Sequence, residues 1–221
     1  MSYLYLFIVL FLSIYLTLAN KNSYFKLNKN ILTSVIVAAA SLIVYENFLS
    51  EGSLKLANQK HSLQIFLDGD QSIKDKKRDE ISRLVMNLIN KDNSEAGELY
   101  ILARQMKNVN EYIFSEQLYK EIYERFGDEL DGDIISEYAQ VLFISNGRKF
   151  KDPIDSLLQE ALNKNPNNPS ALTLKGLAEL EKNNPTLTIE LWTKALPFLN
   201  SEKEESDLNV LIDAVKKRKN Q

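Results

Sequence analysis

The chain has 221 residues, with 27 lysines and arginines against 30 aspartates and glutamates, one histidine and no cysteine. The lack of cysteine excludes disulfides, thiol catalysis and cysteine zinc sites for this chain. His61 has no partner at metal-ligating spacing, the glycines form no phosphate-binding loop, and charges of both signs are interspersed. We therefore expect a protein that is not an enzyme, has no metal or cofactor and does not bind nucleic acid.

Two apolar stretches lie in the first 50 residues, at about 3–19 and 31–49, and residues 20–30 separate them. Each stretch is long enough to cross a hydrocarbon core of about 30 Å as a helix. The loop between them carries Lys21, Lys26 and Lys29 and no acid, and basic loops stay on the cytoplasmic side. Residues 1–50 are therefore predicted to form a transmembrane hairpin in the bacterial inner membrane, with a cytoplasmic loop and a periplasmic C-terminal domain.

A cleaved signal peptide ending near Ala19 is the alternative for the first stretch. Signal peptides carry basic residues before their apolar core, whereas the lysines here come after it. This order favours a retained hairpin, so the protein is expected to be membrane-embedded.

The part of the chain after the hairpin is expected to be helical. Residues 51–79 are polar except for an apolar cluster at 63–67, and we interpret them as a short helix followed by a flexible linker. From residue 80 onward apolar residues recur with the period of an amphipathic helix. The first such stripe consists of Ile81, Leu84, Val85, Leu88 and Ile89. Residues 80–221 are therefore predicted to form one all-α domain.

These helices contain an internal repeat. A pattern of four positions between residues 138 and 161 recurs 34 residues later in the chain. An earlier copy of the same pattern lies 39 residues before it. The three copies are Leu99, Ala103, Tyr119 and Ile122; Tyr138, Leu142, Leu158 and Ala161; and Leu172, Gly176, Trp192 and Ala195. A small residue on the first helix and a large one on the second fill the seam of a helix pair, so Trp192 is expected in the core.

The pattern is typical of tetratricopeptide (TPR) repeats, in which helix pairs bury their apolar faces by stacking on one another. The predicted fold class is therefore all-α: a two-helix transmembrane hairpin, then an α-solenoid of about three TPR helix pairs with a C-terminal capping helix. A generic helical bundle with a coincidental repeat is the alternative. Proline after a second helix, as at Pro166, helps to end a unit.

The hairpin and the repeats together resemble the membrane-anchored TPR proteins of cytochrome c maturation, of the CcmI/CycH type. The resemblance covers roughly residues 81–218 and the predicted topology. It is carried by residues 137–142, Asn146-Gly147-Arg148, residues 157–162, Asn165-Pro166, Ala171-Leu172, Gly176 and residues 189–192. This chain departs from the family in its short loop between the spans, and in Ala103 and Leu142 where glycine is expected.

The resemblance implies a non-enzymatic chaperone subunit. Such proteins hold the C-terminal helix of apocytochrome c in the TPR groove and present it to the haem lyase subunits of the maturation system. A TPR scaffold or tether for another cell-envelope assembly is the alternative function, because such repeats serve many partners.

TPR geometry places the first helix of each pair on the concave face, where a mixed polar and apolar groove suits an amphipathic helix. Arg104 or Lys107 is a candidate partner for a terminal carboxylate or an acidic residue of the ligand. The predicted peptide-binding residues are Tyr100, Arg104 and Lys107 in the first repeat, Ala139, Phe143 and Asn146 in the second, and Thr173, Leu177 and Leu180 in the third.

Overall fold

A computed structural model describes residues 51–91 and 94–219, with side chains described from residue 56 onward. The predicted transmembrane hairpin, residues 1–50, lies outside the described residues. Among the helices in the described ranges, none is both long and apolar enough to cross a membrane.

The described residues form nine α-helices and two short 3₁₀ helices, with no strand among them. One compact unit begins at Phe66 and contains every helix after the first. The prediction of an all-helical domain with solenoid-like packing is confirmed. The helices are α1 Glu51–Asp68, α2 Gln71–Ile89, α3 Ala96–Asn108, α4 Tyr112–Phe126, α5 Gly132–Ser145, α6 Ile154–Lys164, α7 Pro169–Glu181, α8 Pro185–Ala195 and α9 Glu202–Lys219, with 3₁₀ helices at Gly127–Glu129 and Leu196–Phe198.

Three helix pairs stack in chain order. Within the pairs, α3 packs on α4, α5 on α6 and α7 on α8; between them, α4 packs on α5 and α6 on α7. The first helices of the second and third pairs, α5 and α7, also touch each other, and α9 packs on α8 at the end of the array. This arrangement is how a solenoid buries apolar faces that no single pair can bury alone.

The structure differs from the sequence interpretation over residues 51–79, where we expected a short helix and a flexible linker. The helix α1 extends to Asp68, and α2 begins at Gln71 with Asp70 as its cap, the Asp70 carboxylate accepting from the Ile73 N–H at 2.9 Å. Charged residues of α2 have partners far along the chain. The Arg78 guanidinium holds the buried Glu111 carboxylate through two hydrogen bonds of 2.8 and 3.1 Å.

The repeat positions found in the sequence lie in the seams of the helix pairs, and all twelve are buried. The tightest seam is in the third pair, where a Cβ atom on Gly176 would clash with Cδ1 and Nε1 of Trp192. The Trp192 indole N–H donates to the backbone carbonyl of Thr173 at 2.9 Å. Gly176 therefore allows the indole ring to lie directly against the backbone of α7.

A second repeated feature was not predicted from the sequence: α3, α5 and α7 end in the same way. Each is followed by a residue in the left-handed region, Asn110 at φ 63°, Gly147 at φ 69° and Asn183 at φ 60°. In all three, the backbone N–H of the residue after this left-handed residue donates to the carbonyl five residues before it, at 2.8 to 2.9 Å. This is the Schellman motif, which satisfies the last carbonyls of a helix. Asparagine and glycine tolerate this conformation, so their recurrence was a usable signal.

The turn between the second and third pairs is bound to the start of α5. The side-chain amides of Asn165 and Asn168 both donate to the Asp133 carboxylate, at 3.0 and 2.6 Å. The Asn168 side chain also caps α7 by accepting from the Ala171 N–H at 2.7 Å. Lys164 donates to three carbonyls, those of Gly127, Asp128 and Leu130. These polar contacts set the position of α7 relative to α5.

Candidate functional site

A groove of about 480 Å³ lies between α7 and α9. Its volume is in the range of about 300–1,000 Å³ that is typical of ligand sites, and its lining is mainly apolar. It is lined by Gln140 of α5; Pro169, Ser170, Thr173, Leu174, Leu177 and Leu180 of α7; Trp192 of α8; Leu199 and Asn200 of the following connection; and Glu204, Asp207, Leu208 and Leu211 of α9.

The last helix creates one wall of the groove. Leu208, Ile212 and Val215 of α9 are buried in a cluster with Leu172 and Trp192. Leu211 belongs to the same apolar stripe of the sequence, but it faces the groove and its exposed fraction is 50%. This half-exposed leucine in the wall shows that the space between α9 and α7 is open to solvent.

The structure brings together the three residues predicted for the third repeat. Thr173, Leu177 and Leu180 all line the groove, and each is partly exposed. The Thr173 Oγ1 atom is buried and has no hydrogen-bond partner among the described residues. A buried hydroxyl without a partner is unfavourable, but this atom has no exposed surface and does not itself offer a contact to a ligand.

The three residues predicted for the second repeat do not line the groove. Ala139 and Phe143 are buried, with Phe143 packed on Phe150 at 4.6 Å between ring centroids, and Asn146 terminates α5. The helix α5 packs against α4, α6 and α7, and these three neighbours cover more of its surface than the fewer neighbours of a terminal helix would. Gln140, which we did not predict, is the α5 residue in the groove.

The three residues predicted for the first repeat lie outside the groove and surround Glu137 of α5. Lys107 Nζ lies 3.3 Å and Arg104 Nε 3.6 Å from the Glu137 carboxylate. The Arg104 guanidinium also lies over the Tyr100 ring, 5.7 Å from its centroid. Arg104 and Lys107, either of which was a candidate partner for an acidic group of a ligand, therefore both lie beside a carboxylate of the protein itself.

Glu137 also accepts a hydrogen bond from the Tyr119 hydroxyl. Burial, then the hydrogen bond to Glu137, raises the pKa of Tyr119 far above its ordinary value, so this hydroxyl stays protonated and acts as a donor. This polar cluster joins the first and second helix pairs. It is a structural contact between repeats and leaves the groove as the better candidate site.

No protein-family model matches this chain, and no curated protein sequence matches it. In the described ranges no cluster of histidine, aspartate and glutamate side chains has the arrangement of a metal site.

Asp155 of α6 pairs with one lysine within α7 and with one directly after its end, and none of these three residues lines the groove. Its carboxylate accepts from Lys175 at 2.7 Å and from Lys182 at 3.0 Å. Burial raises the pKa of Asp155, but the hydrogen bonds from the two lysines outweigh it, so the pKa is lower than usual. Asp155 thus holds the second and third helix pairs together in its charged form.

This contact predicts a pH-dependent contribution to stability. A carboxyl whose pKa is lowered by folding stabilises the folded state above its unfolded pKa, about 4, and loses that contribution as the pH falls through the folded value. Asp155→Asn should therefore lower the free energy of unfolding at pH 7, and the difference from wild type should shrink towards pH 3. Urea unfolding followed by circular dichroism at both pH values measures this. Asp213→Asn, at an exposed position of α9, is the control, and an Asp155 effect that is the same at both pH values would contradict the prediction.

Proposed function

We propose that this protein is a non-enzymatic peptide-binding protein of the TPR type that holds an amphipathic helix between α7 and α9. The groove carries this proposal, because it combines a mainly apolar lining with partly exposed leucines. Helices of this kind bind grooves through apolar residues at i, i+3, i+4 and i+7. The repeated seams and helix ends of the three pairs support the TPR assignment.

The ligand that we propose is the C-terminal helix of apocytochrome c, presented to haem lyase subunits by a protein anchored through residues 1–50. The support for this ligand is the resemblance to the cytochrome c maturation family described above, together with the two apolar stretches and the lysines between them. An open groove at the end of a solenoid suits such a helix, since a short segment enters it from solvent without unfolding the domain.

Binding can be measured without a label. Trp192 is the only tryptophan of the chain and lines the groove, so its fluorescence should change when the groove is filled. We expect the full chain in detergent to bind peptides from the C-terminal helices of the host's c-type cytochromes with micromolar or tighter affinity.

Leu177→Glu should weaken this binding by about thirtyfold or more, since it puts a charge against the apolar face of the ligand at a central contact. Leu177 is only partly buried, so helix content should remain close to that of wild type. Ile101→Glu is the matched control, because Ile101 is 62% exposed on α3 and outside the groove. Phe143→Glu is unsuitable, because Phe143 is a core residue.

A folded wild-type chain that binds none of these peptides would contradict the apocytochrome proposal. The tether function in another envelope assembly would then be the better explanation of the repeats.

A further inference from the structure

We propose that the groove selects an amphipathic helix whose one edge is cationic, with that edge lying against α9. This inference rests on the proposed function and adds the charge and the orientation of the ligand. It follows from the shape of the two walls and from the distribution of charge between them.

Both walls of the groove are stripes along a helix. On α7 the lining residues run from Pro169 to Leu180, which is a length of about 17 Å at a rise of about 1.5 Å per residue. On α9 they run from Glu204 to Leu211 with spacings of three and four residues. Ridges of this kind receive the side chains of a third helix lying between them. An α-helical segment of about three turns therefore fits the groove.

The two walls differ in charge. Glu204 and Asp207 are the charged side chains that line the groove, and both belong to α9. The polar residues on the α7 wall, Ser170 and Thr173, are neutral. The charged residues of the lining are therefore confined to one side of a mainly apolar groove.

The two carboxylates have no salt-bridge partner in the described part of the chain. By contrast, the α7 charges Lys175 and Glu179 are engaged away from the groove with Asp155 and Lys182. The first turn of α9 adds two more acids, Glu202 and Glu205, and one base, Lys203, so acidic residues remain in excess there. Lysine or arginine on one edge of a ligand helix would complement this wall, and acidic residues there would be repelled.

The orientation follows from the same asymmetry. An amphipathic helix that placed its cationic edge against α7 would lose these contacts and leave Glu204 and Asp207 facing its uncharged edge. Charges of this kind decide specificity and orientation more than they decide total affinity. The apolar contacts with Leu174, Leu177 and Leu211 would supply the affinity for either charge pattern.

The test uses two synthetic helical peptides of about 18 residues with the same leucine stripe. They differ only on one edge, which carries two lysines in one peptide and two glutamates in the other. The full wild-type chain in detergent should bind the lysine peptide about tenfold more tightly, a preference that falls as salt is raised. Glu204→Lys with Asp207→Lys should reverse the preference, and Glu204→Gln with Asp207→Asn should abolish it. The matched control is Glu205→Lys with Asp213→Lys, on the same helix but outside the groove lining.

The outcomes separate this inference from the proposed function. If Leu177→Glu loses binding of both peptides, and Glu204→Lys with Asp207→Lys reverses the preference, both the proposed function and the charge inference are supported. If Leu177→Glu abolishes binding but the charge variants leave the preference unchanged, the groove binds helices and the charge inference is overturned. If the folded wild-type chain binds neither peptide, both are overturned. If Glu204→Lys with Asp207→Lys does not fold, Glu204→Gln with Asp207→Asn still tests the charge inference, because it should abolish the preference.

Discussion

Trp192→Ala should lower the free energy of unfolding by about 3–5 kcal/mol, the usual range for removing a large aromatic side chain from a core. The indole is 2% exposed and packs in the seam between α7 and α8, where Gly176 leaves room for it. Its removal creates a cavity and deprives the Thr173 carbonyl of the donor at 2.9 Å. Because the variant lacks the only tryptophan, unfolding should be followed by circular dichroism in urea.

A double-mutant comparison tests the stated cause. Gly176→Ala should destabilise the wild-type chain, since the new methyl group clashes with the indole ring. The same change should be much better tolerated in the Trp192→Ala background, where the ring is gone. Equal effects of Gly176→Ala in both backgrounds would show that the two residues do not interact in this way.

Gly132→Ala should be the most damaging of the small-to-large changes, with a loss of about 1–3 kcal/mol or more. A Cβ atom on Gly132 would lie 2.5 Å from the Ala161 carbonyl oxygen and 3.0 Å from the Asn165 backbone nitrogen. Backbone atoms cannot rotate away as a flexible side chain can, so α5 and α6 would have to separate. The change in urea midpoint measures the effect.

Gly97→Ala is the matched control for Gly132→Ala. Gly97 also lies in the first turn of the first helix of its pair, but a Cβ atom there has no neighbour within 4 Å. Alanine should stabilise this helix by about 0.4–1 kcal/mol, because it reduces the freedom of the unfolded chain. Similar losses in both variants would contradict the packing explanation for Gly132.

Much of the fold was predictable because its signals are local. The helical periodicity and the three-fold pattern of seam residues depend on side-chain spacing within about 30 to 40 residues. The all-helical class and the buried positions, including Leu99, Tyr138 and Trp192, agree with the structure. The third-repeat residues Thr173, Leu177 and Leu180 also lie together in the groove. The prediction of a transmembrane hairpin concerns residues outside the described ranges and stays a prediction.

The parts that differed from expectation depend on contacts between distant residues. The charged segment at 71–79 resembles a linker in sequence. In the structure it is helical, and Arg78 within it pairs with Glu111. Phe143 has the spacing of a concave-face residue, yet Phe150 from the next connection covers it. Arg104 and Lys107 were candidates for contact with a ligand, but both form ion pairs with the Glu137 carboxylate on another helix.

From residue 80 onward the sequence by itself determined the helical class, which faces of the helices are apolar and how the pairs repeat, because these properties follow from residue order over a few turns. Only the tertiary structure decided which exposed faces remain open and which charges remain unpaired. The acidic wall of the groove, Glu204 and Asp207, became visible only once α9 was placed beside α7. A binding surface is made by the relative positions of helices, and one-dimensional patterns do not encode which helix supplies the second wall.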